Sequence, residues 1–248
     1  MLSGQDQLEG RNIVIEVMVR KKRKIHRVLM DQGVQPHPKI KRIVGFAHKH
    51  KIPLKSVSRQ KLDAMSKTGV HNGVIAFADP LPKWTTKELL DHLFDNQEYP
   101  FLVLADELSY EHNLGAILRS AMGAGVHGMI IPSKRGKGLT PVVQRVAMGG
   151  AEEVPLIREG ISSALAKIRK EGIRVIGADM NGQSLWKTDL RGPIALVMGG
   201  ESKGLSPTLR KRCDTIVSIP LCNGLESLNV SVSAGIILYE KRRQEEAE

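Results

Sequence analysis

The sequence predicts an α/β protein of two domains, a small basic one followed by a larger one built on a mostly parallel sheet. Short apolar runs alternate with segments of helical periodicity along the whole chain, which is typical of sheets covered by helices. Pro80, Pro82 and Pro100 interrupt this alternation and indicate a boundary between domains. With 248 residues, 41% of them hydrophobic, the chain has enough apolar side chains for two cores.

Positive charge is concentrated in the first third of the chain. Residues 1–80 contain 16 Lys and Arg against 6 Asp and Glu, a net charge of +10, whereas the remaining residues contain 21 against 20. A basic domain beside a nearly neutral one favours docking of nucleic acid over a merely solvated basic surface. Aromatic residues make up only 4% of the chain, so we expect phosphate contacts and shape recognition rather than a stacking surface.

The composition argues against a membrane protein, a disulfide-bonded protein or a zinc protein. No apolar run approaches the roughly 20 residues that span a bilayer, and the first residues are polar, so we expect a cytoplasmic protein. Cys213 and Cys222 have no further metal-type partners near them in sequence, which indicates reduced thiols. His48 and His50 lack a third ligand at a suitable spacing, so no metal is expected.

The first domain is predicted to alternate helices with strands. We expect helices at residues 12–19, 38–50 and 58–65, and strands at residues 26–30, 54–57 and 74–78. Residues 81–100 form the predicted linker, in which the charged amphipathic segment 85–94 packs partly on the second domain. The predicted domains are therefore residues 1–80 for nucleic-acid binding and residues 101–248 for a second function.

The second domain opens with a strand at residues 101–106, and Asp106 ends it at the sheet edge where open α/β proteins bind ligands. A helix then runs from Asn113 to about Ala124, and Gly125 stops it. Asn113 and Arg119 lie about 9 Å apart along this helix, so a shared site requires a side chain as long as arginine. The next elements are a strand at 128–132, a helix at 141–148, a short strand near 156, a helix at 161–170 and a strand at 174–179.

Residues 194–240 gather polar residues at turns between regular elements. A buried strand at 194–198 leads into Gly199 and Gly200, which allow a tight turn before Glu201. Ser206 and Pro207 begin a short helix, a strand follows at 215–220, and Ser227 caps the last helix. Residues 228–233 alternate like a strand, but the run that follows them has helical spacing, so we predict a helix.

Spacing alone favours a structural role for most of these polar residues. The glycines would be turns, Ser227 and Asn229 caps, Asn113 a helix cap and Arg119 half of a surface ion pair. Three segments, however, resemble in order the three motifs of the SpoU/TrmH branch of the SPOUT RNA methyltransferases. They are HNLGAILRSAMGAGVHGMI, MGGESKGLS and IPLCNGLESLNVSVSAGI. The segments LEGRNIVIEVM and SKTGVHNGVIAFADP likewise resemble the small substrate-binding domain of that family.

This resemblance implies a fold, a cofactor and a substrate. The first domain would be L30e-like and contact ribosomal RNA, and the second would end in a deep trefoil knot that binds S-adenosylmethionine. The backbone at Gly199, Ile219 and Leu228 would hold this cofactor. The implied reaction is methylation of a guanosine ribose 2'-oxygen in large-subunit (23S) ribosomal RNA by a homodimer.

The same resemblance implies a set of catalytic residues: Asn113, Arg119, Glu201, Ser227 and Asn229. Arg119 would contact the attacking ribose hydroxyl, and the others would arrange the polar network around it. Because an unperturbed arginine has a pKa above about 12, we interpret Arg119 as a positioning and electrostatic group, and its role as a base stays a hypothesis. Two alternatives stay open: a transfer-RNA methyltransferase of the same family, and a non-catalytic RNA-binding or ribosome-assembly factor.

Overall fold

The structure is a computed structural model that describes residues 4–134, 136–200 and 204–246. The chain divides into two compact units. The first contains residues 1–82 and 139–152, and the second contains residues 83–138 and 153–248. None of the described helices is long and apolar enough to cross a bilayer.

Residues 4–82 form a four-stranded mixed sheet with three helices. The elements are β1 (Asp6–Glu9), α1 (Arg11–Arg20), β2 (Ile25–Asp31), α2 (Pro38–Lys49), β3 (Leu54–Val57), α3 (Arg59–Met65) and β4 (Val74–Ala78). The strand order is β1-β4-β2-β3, with β4 antiparallel to both neighbours and β2 parallel to β3. Every helix and strand predicted here is confirmed to within one residue at each end.

Strand β1 was missed by the sequence analysis. Its four residues, Asp-Gln-Leu-Glu, have low strand propensity, and they are extended because they pair with β4 at the edge of the sheet. Glu9 ends this strand and is fully buried. Its carboxylate accepts hydrogen bonds from the side chains of Gln7, Ser66 and Thr68. A tertiary network thus fixes a strand that periodicity does not reveal.

The second unit is built on a six-stranded sheet in which every pair of neighbours is parallel. Its elements are, in chain order, α4 (Thr86–Asp95), β5 (Phe101–Ala105), α5 (Glu111–Ala124), β6 (Gly128–Ile131), β7 (Leu156–Arg158), α8 (Ile161–Lys170), β8 (Arg174–Ser184), β9 (Ile194–Met198), α9 (Pro207–Arg210), β10 (Thr215–Ser218) and α10 (Val230–Glu246). Between β6 and β7 the chain forms α6 (Pro141–Ala147) and α7 (Gly150–Glu153), which lie in the first unit except for Glu153. The strand order is β10-β8-β9-β5-β6-β7. This confirms the predicted α/β class and the mostly parallel sheet.

Most of the segment interpreted as a linker belongs to the second unit. Thr85 and Glu88 form a reciprocal capping box that begins α4. The apolar face of α4, with Leu89, Leu90 and Leu93, enters the same hydrophobic core as α8. The backbone N–H of Thr86 also donates to Glu159, at 3.2 Å. The amphipathic segment therefore forms a core helix of this unit.

Residues 139–152, which the sequence analysis assigned to the second domain, lie in the first unit. The buried guanidinium of Arg23 explains this placement. Its Nη2 donates to Gln144 and to Glu152, both at 2.6 Å, and its Nη1 donates to Asp6. A buried arginine needs such partners, because an unpaired charge is costly away from water.

Candidate active site

Two neighbouring strands bring the glycine motif to the carboxyl edge of the parallel sheet. Ala105 at the end of β5 pairs with Met198 at the end of β9. The N–H of Asp106 donates to the carbonyl of Met198 at 3.1 Å, so Asp106 and Gly199 leave the sheet side by side. This is the edge where parallel α/β sheets bind ligands.

The backbone directly after β9 leaves no room for a side chain at Gly199. A Cβ on Gly199 would lie 2.1 Å from the carbonyl carbon of Gly204. Gly200 and Gly204 exchange two backbone hydrogen bonds of 3.0 Å, and Gly204 has a φ of +61°, which favours glycine. The loop thus folds back on the strand end. Glu201, predicted to be catalytic, lies outside the described residues.

Asn113 and Asn229 are brought together from segments far apart in sequence. The Nδ2 of Asn229 donates to the Oδ1 of Asn113 at 3.1 Å. The Oδ1 of Asn229 accepts from the N–H of Ser231 at 2.9 Å, so Asn229 caps α10. The prediction that Ser227 caps this helix is wrong, because the helix begins at Val230 and Ser227 lies in the exposed loop before it.

Close packing of two helices fixes this pair of asparagines. A Cβ on Gly123 of α5 would lie 2.5 Å from the hydroxyl of Tyr239 on α10, so a larger residue would have to displace the end of that side chain. Near the same end, Arg242 donates to the carbonyl of Gly123 at 2.7 Å. Contacts at both ends keep α5 and α10 side by side, with their first turns adjacent.

Arg119 is exposed on α5, in the part of the helix that follows Asn113. The sequence left open a surface ion pair for this side chain. No such pair is formed with the residues that the structure describes, since none of the ion pairs there includes Arg119. Its guanidinium is therefore directed to solvent and accessible to a substrate.

The three positions predicted to hold the cofactor offer backbone groups rather than side chains. Gly199 is buried directly after β9, Ile219 follows β10, and Leu228 precedes the cap of α10. Within the described part of the chain, their N–H and C=O groups make no hydrogen bond. Of the three, only Gly199 is buried, whereas Ile219 and Leu228 are half-buried. Backbone groups of this kind would pair with the polar edges of S-adenosylmethionine.

Glu107 is a neighbour of this site that the sequence analysis missed. Glu107 has a φ of +52°, and a Cβ added to Gly200 would lie 3.4 Å from the Cβ of Glu107. The left-handed conformation of a non-glycine residue beside a glycine turn depends on tertiary packing. The one signal in the sequence was a second carboxylate directly after Asp106.

The thiol of Cys213, near this region, is poorly suited to act as a nucleophile. Burial raises the pKa of Cys213 to about 11, so its thiol stays protonated at neutral pH. The Sγ of Cys213 donates to the carbonyl of Leu209 at 3.3 Å. Cys213 and Cys222 are both free, as predicted.

Comparison with known proteins divides the chain into two segments, as the motifs in the sequence did. Residues 100–239 match the model of the SpoU rRNA methylase family. The chain belongs to this family. Residues 7–84 match a second model, described as RNA 2'-O ribose methyltransferase substrate binding. The two SpoU segments correspond to the two parts of the chain that the motifs had distinguished.

Curated members of the SpoU family resemble the chain over most of its length. A 23S rRNA (guanosine-2'-O-)-methyltransferase RlmB of Pseudomonas putida is 33% identical over 246 residues, 98% of this chain and 98% of that protein. The RlmB of Escherichia coli K12 is 39% identical over 195 residues, 78% of this chain and 80% of that protein. The crystal structure of the SpoU methyltransferase AviRb from Streptomyces viridochromogenes in complex with AdoMet superposes with a TM-score of 0.80 at 22% identity, covering 99% of this chain and 92% of AviRb. The last likeness shows the fold.

Proposed function

We propose that this SpoU-family chain transfers a methyl group from S-adenosylmethionine to the ribose 2'-oxygen of a guanosine in 23S ribosomal RNA. The observation that carries the proposal is the hydrogen bond between Asn229 and Asn113, which joins the first and third motifs at one place. The activity of the RlmB relatives supports the same reaction. The basic charge of residues 1–80 supports an RNA substrate gripped by that domain.

The reaction requires that the ribose 2'-hydroxyl is aligned with the methyl carbon and that this hydroxyl loses its proton. When bound, S-adenosylmethionine would supply a methyl carbon activated by its sulfonium, S-adenosylhomocysteine would be the leaving group, and the proton of the 2'-hydroxyl would pass to solvent. Arg119 holds the attacking hydroxyl and stabilises its developing negative charge. Asn113 and Asn229 orient that arrangement, and we assign Glu201 and Ser227 to the same polar network. The backbone of Gly199, Ile219 and Leu228 holds the cofactor.

The deciding experiment is transfer of labelled methyl to unmodified 23S ribosomal RNA and, separately, to transfer RNA, followed by mapping of the modified ribose. We expect label on one guanosine of the ribosomal RNA. Label in transfer RNA alone would keep the chemistry and replace the substrate. If the protein binds RNA but neither transfers methyl nor binds the cofactor, it is an RNA-binding factor and not an enzyme.

Arg119 is tested by Arg119→Ala and Arg119→Lys. We expect both to lower the single-turnover rate by about 100-fold or more, because the fork of donors on a guanidinium is lost in each. Affinity for S-adenosylmethionine, measured by calorimetry, should stay within about twofold of the wild type. Near-normal rates in both variants would remove Arg119 from the mechanism.

We further propose a cytoplasmic homodimer whose second domain ends in a trefoil knot. Val232 and Tyr239 support the dimer, because α10 leaves both large apolar side chains about half exposed. Sedimentation equilibrium of the wild type, and of Val232→Asp, measures this association. We expect twice the chain mass for the wild type and a shift toward monomer for the variant.

A further inference from the structure

The first unit contains a cavity that the proposed methyl-transfer site does not use. It has a volume of about 450 Å³ and lies where the carboxyl ends of α1 and α2 meet the start of β2. This volume falls within the roughly 300–1,000 Å³ of small-molecule sites. The cavity is therefore large enough for one nucleotide.

One wall of the cavity is apolar and carries an aromatic ring. Val17, Met18 and Ile25 line it and belong to the hydrophobic core of this unit. Phe46 on α2 packs against His50, which directly follows the helix, with the two ring planes tilted and their centroids 4.1 Å apart. Aromatic faces of this kind bind unstacked nucleobases with little preference for the base.

The rim of the cavity is cationic. Lys21, Lys24 and Lys51 line it, are exposed, and form no ion pair within the described part of the chain. By contrast, the Arg23 guanidinium in the wall is bonded to Asp6 and Glu152, and His26 is bonded to Asp79. The lysines thus provide uncompensated positive charge beside an apolar wall.

Two of these lysines occupy positions that stereochemistry favours for glycine. Lys21 follows the last turn of α1 with a φ of +55°, and Lys51 follows α2 by two residues with a φ of +53°. Glycine is the usual residue in this left-handed conformation at helix ends. A lysine at both positions supplies a side chain that the backbone geometry does not require.

We propose that this cavity binds one unpaired nucleotide of the RNA substrate, with its base against Phe46 and its phosphate at Lys21 and Lys51. The proposal rests on the proposed function in that the ligand is part of a substrate RNA. It assigns the binding of one unstacked nucleotide to the first unit, in addition to general attraction for phosphates. A single stacked base also fits a domain with few aromatic residues.

The first test uses the full chain and the four nucleoside monophosphates as probes. We expect TROSY spectra to show nucleotide-dependent shifts in the amides of α1, α2 and residues 50–52, and smaller ones with inorganic phosphate or with a nucleoside alone. Lys21→Gln/Lys51→Gln should weaken nucleotide binding roughly tenfold. Lys55→Gln/Lys61→Gln removes the same charge from exposed residues outside the cavity and should leave nucleotide binding unchanged.

Two further variants separate loss of binding from loss of fold. Glycine adopts the left-handed conformation without strain, so we expect Lys21→Gly/Lys51→Gly to melt at a temperature no lower than that of the wild type. The variant should show the same loss of nucleotide binding. Phe46→Leu keeps the apolar volume and removes the aromatic face. It should weaken the binding of nucleoside monophosphates but not the binding of inorganic phosphate. Shifts outside the cavity, or equal effects of the two glutamine pairs, would overturn the proposal.

Methyl transfer to 23S ribosomal RNA distinguishes failure of this inference from failure of the proposed function. With an active wild type, Lys21→Gly/Lys51→Gly should raise KM for RNA several-fold and leave kcat unchanged. An unchanged KM would overturn the cavity proposal and leave the activity in place. An inactive wild type that still binds nucleotides in the cavity would overturn the activity alone.

Discussion

One side chain, Asn229, serves both the stability of α10 and the geometry of the candidate site. Its oxygen caps the helix through Ser231, while its nitrogen donates to Asn113. The sequence left open a capping role, a role in the site or both for Asn229, and the amide has a group for each role. Substitutions that separate the two groups therefore separate fold from function.

For Asn229 we expect Asn229→Ala to lower the free energy of unfolding by about 1 kcal/mol, because the cap is lost. Asn229→Asp keeps an acceptor for Ser231 and should unfold within about 0.5 kcal/mol of the wild type. Both should slow single-turnover methyl transfer, since neither retains the donor that fixes the Asn113 amide. A wild-type rate in Asn229→Asp would show that this donor is dispensable.

At Gly199, substitution by alanine should damage the cofactor site. The added Cβ would meet the backbone of Gly204 at 2.1 Å, so the loop after β9 must move. We expect at least tenfold weaker binding of S-adenosylmethionine by calorimetry, with the fold retained by circular dichroism. Gly160→Ala is the matched control, since its Cβ meets no atom within 4 Å. Equal affinities in the two variants would contradict the assignment of Gly199.

At the scale of elements, α4 shows how a segment between prolines becomes part of a core. Its apolar face packs with α8, and Glu159 after β7 ties the two helices together. Burial alone would raise the pKa of Glu159, but hydrogen bonds from Lys167, Thr86 and Ser163 outweigh it and lower the pKa to about 2. The ionised carboxylate is therefore a stabilising group at neutral pH.

We expect Glu159→Gln to lower the free energy of unfolding by about 1–2 kcal/mol at pH 7, as charge-assisted hydrogen bonds are lost. Because the pKa of Glu159 is lower in the folded state, this stabilisation is present above about pH 4.5 and is lost as the pH falls toward about 2. Urea unfolding from pH 7 to pH 3 measures the difference. A pH-independent difference would exclude the ionic origin, and Asp91→Asn, in an exposed pair with Lys87, serves as the control.

At the scale of the whole molecule, the chain leaves the second unit after β6 and contributes residues 139–152 to the first. Arg23 holds this segment through Gln144 and Glu152, and the side chains of Arg23 and Glu152 are 1% and 0% exposed. The first unit is thus completed by residues that lie far along the chain. Its stability depends on them.

Removing one partner of this buried pair should be costly. We expect Glu152→Ala to lower the free energy of unfolding of the full chain by about 3 kcal/mol, because the Arg23 charge loses a buried partner. Glu171→Ala, at an exposed position on the surface, should change it little. Urea unfolding of both variants measures the difference. Equal stabilities would mean that Gln144 and Asp6 suffice for Arg23.

Patterns in the sequence predicted most of the local structure and the family. Apolar periods and caps predicted nearly every helix and strand, because these signals act between residues close in the chain. Ordered motifs indicated SpoU membership and named the residues of the candidate site. Only β1, whose extended form depends on pairing with β4, was missed entirely among the strands.

The tertiary structure decided what residues distant in sequence do together. Nothing local predicts that Asn229 donates to Asn113, that Glu152 partners Arg23, or that Glu107 adopts a positive φ beside Gly200. The sequence does not predict the cavity rimmed by Lys21 and Lys51 either, because there the two lysines only add to the positive charge of the first domain. Such contacts depend on how packed elements meet, and a one-dimensional pattern contains no distance between them.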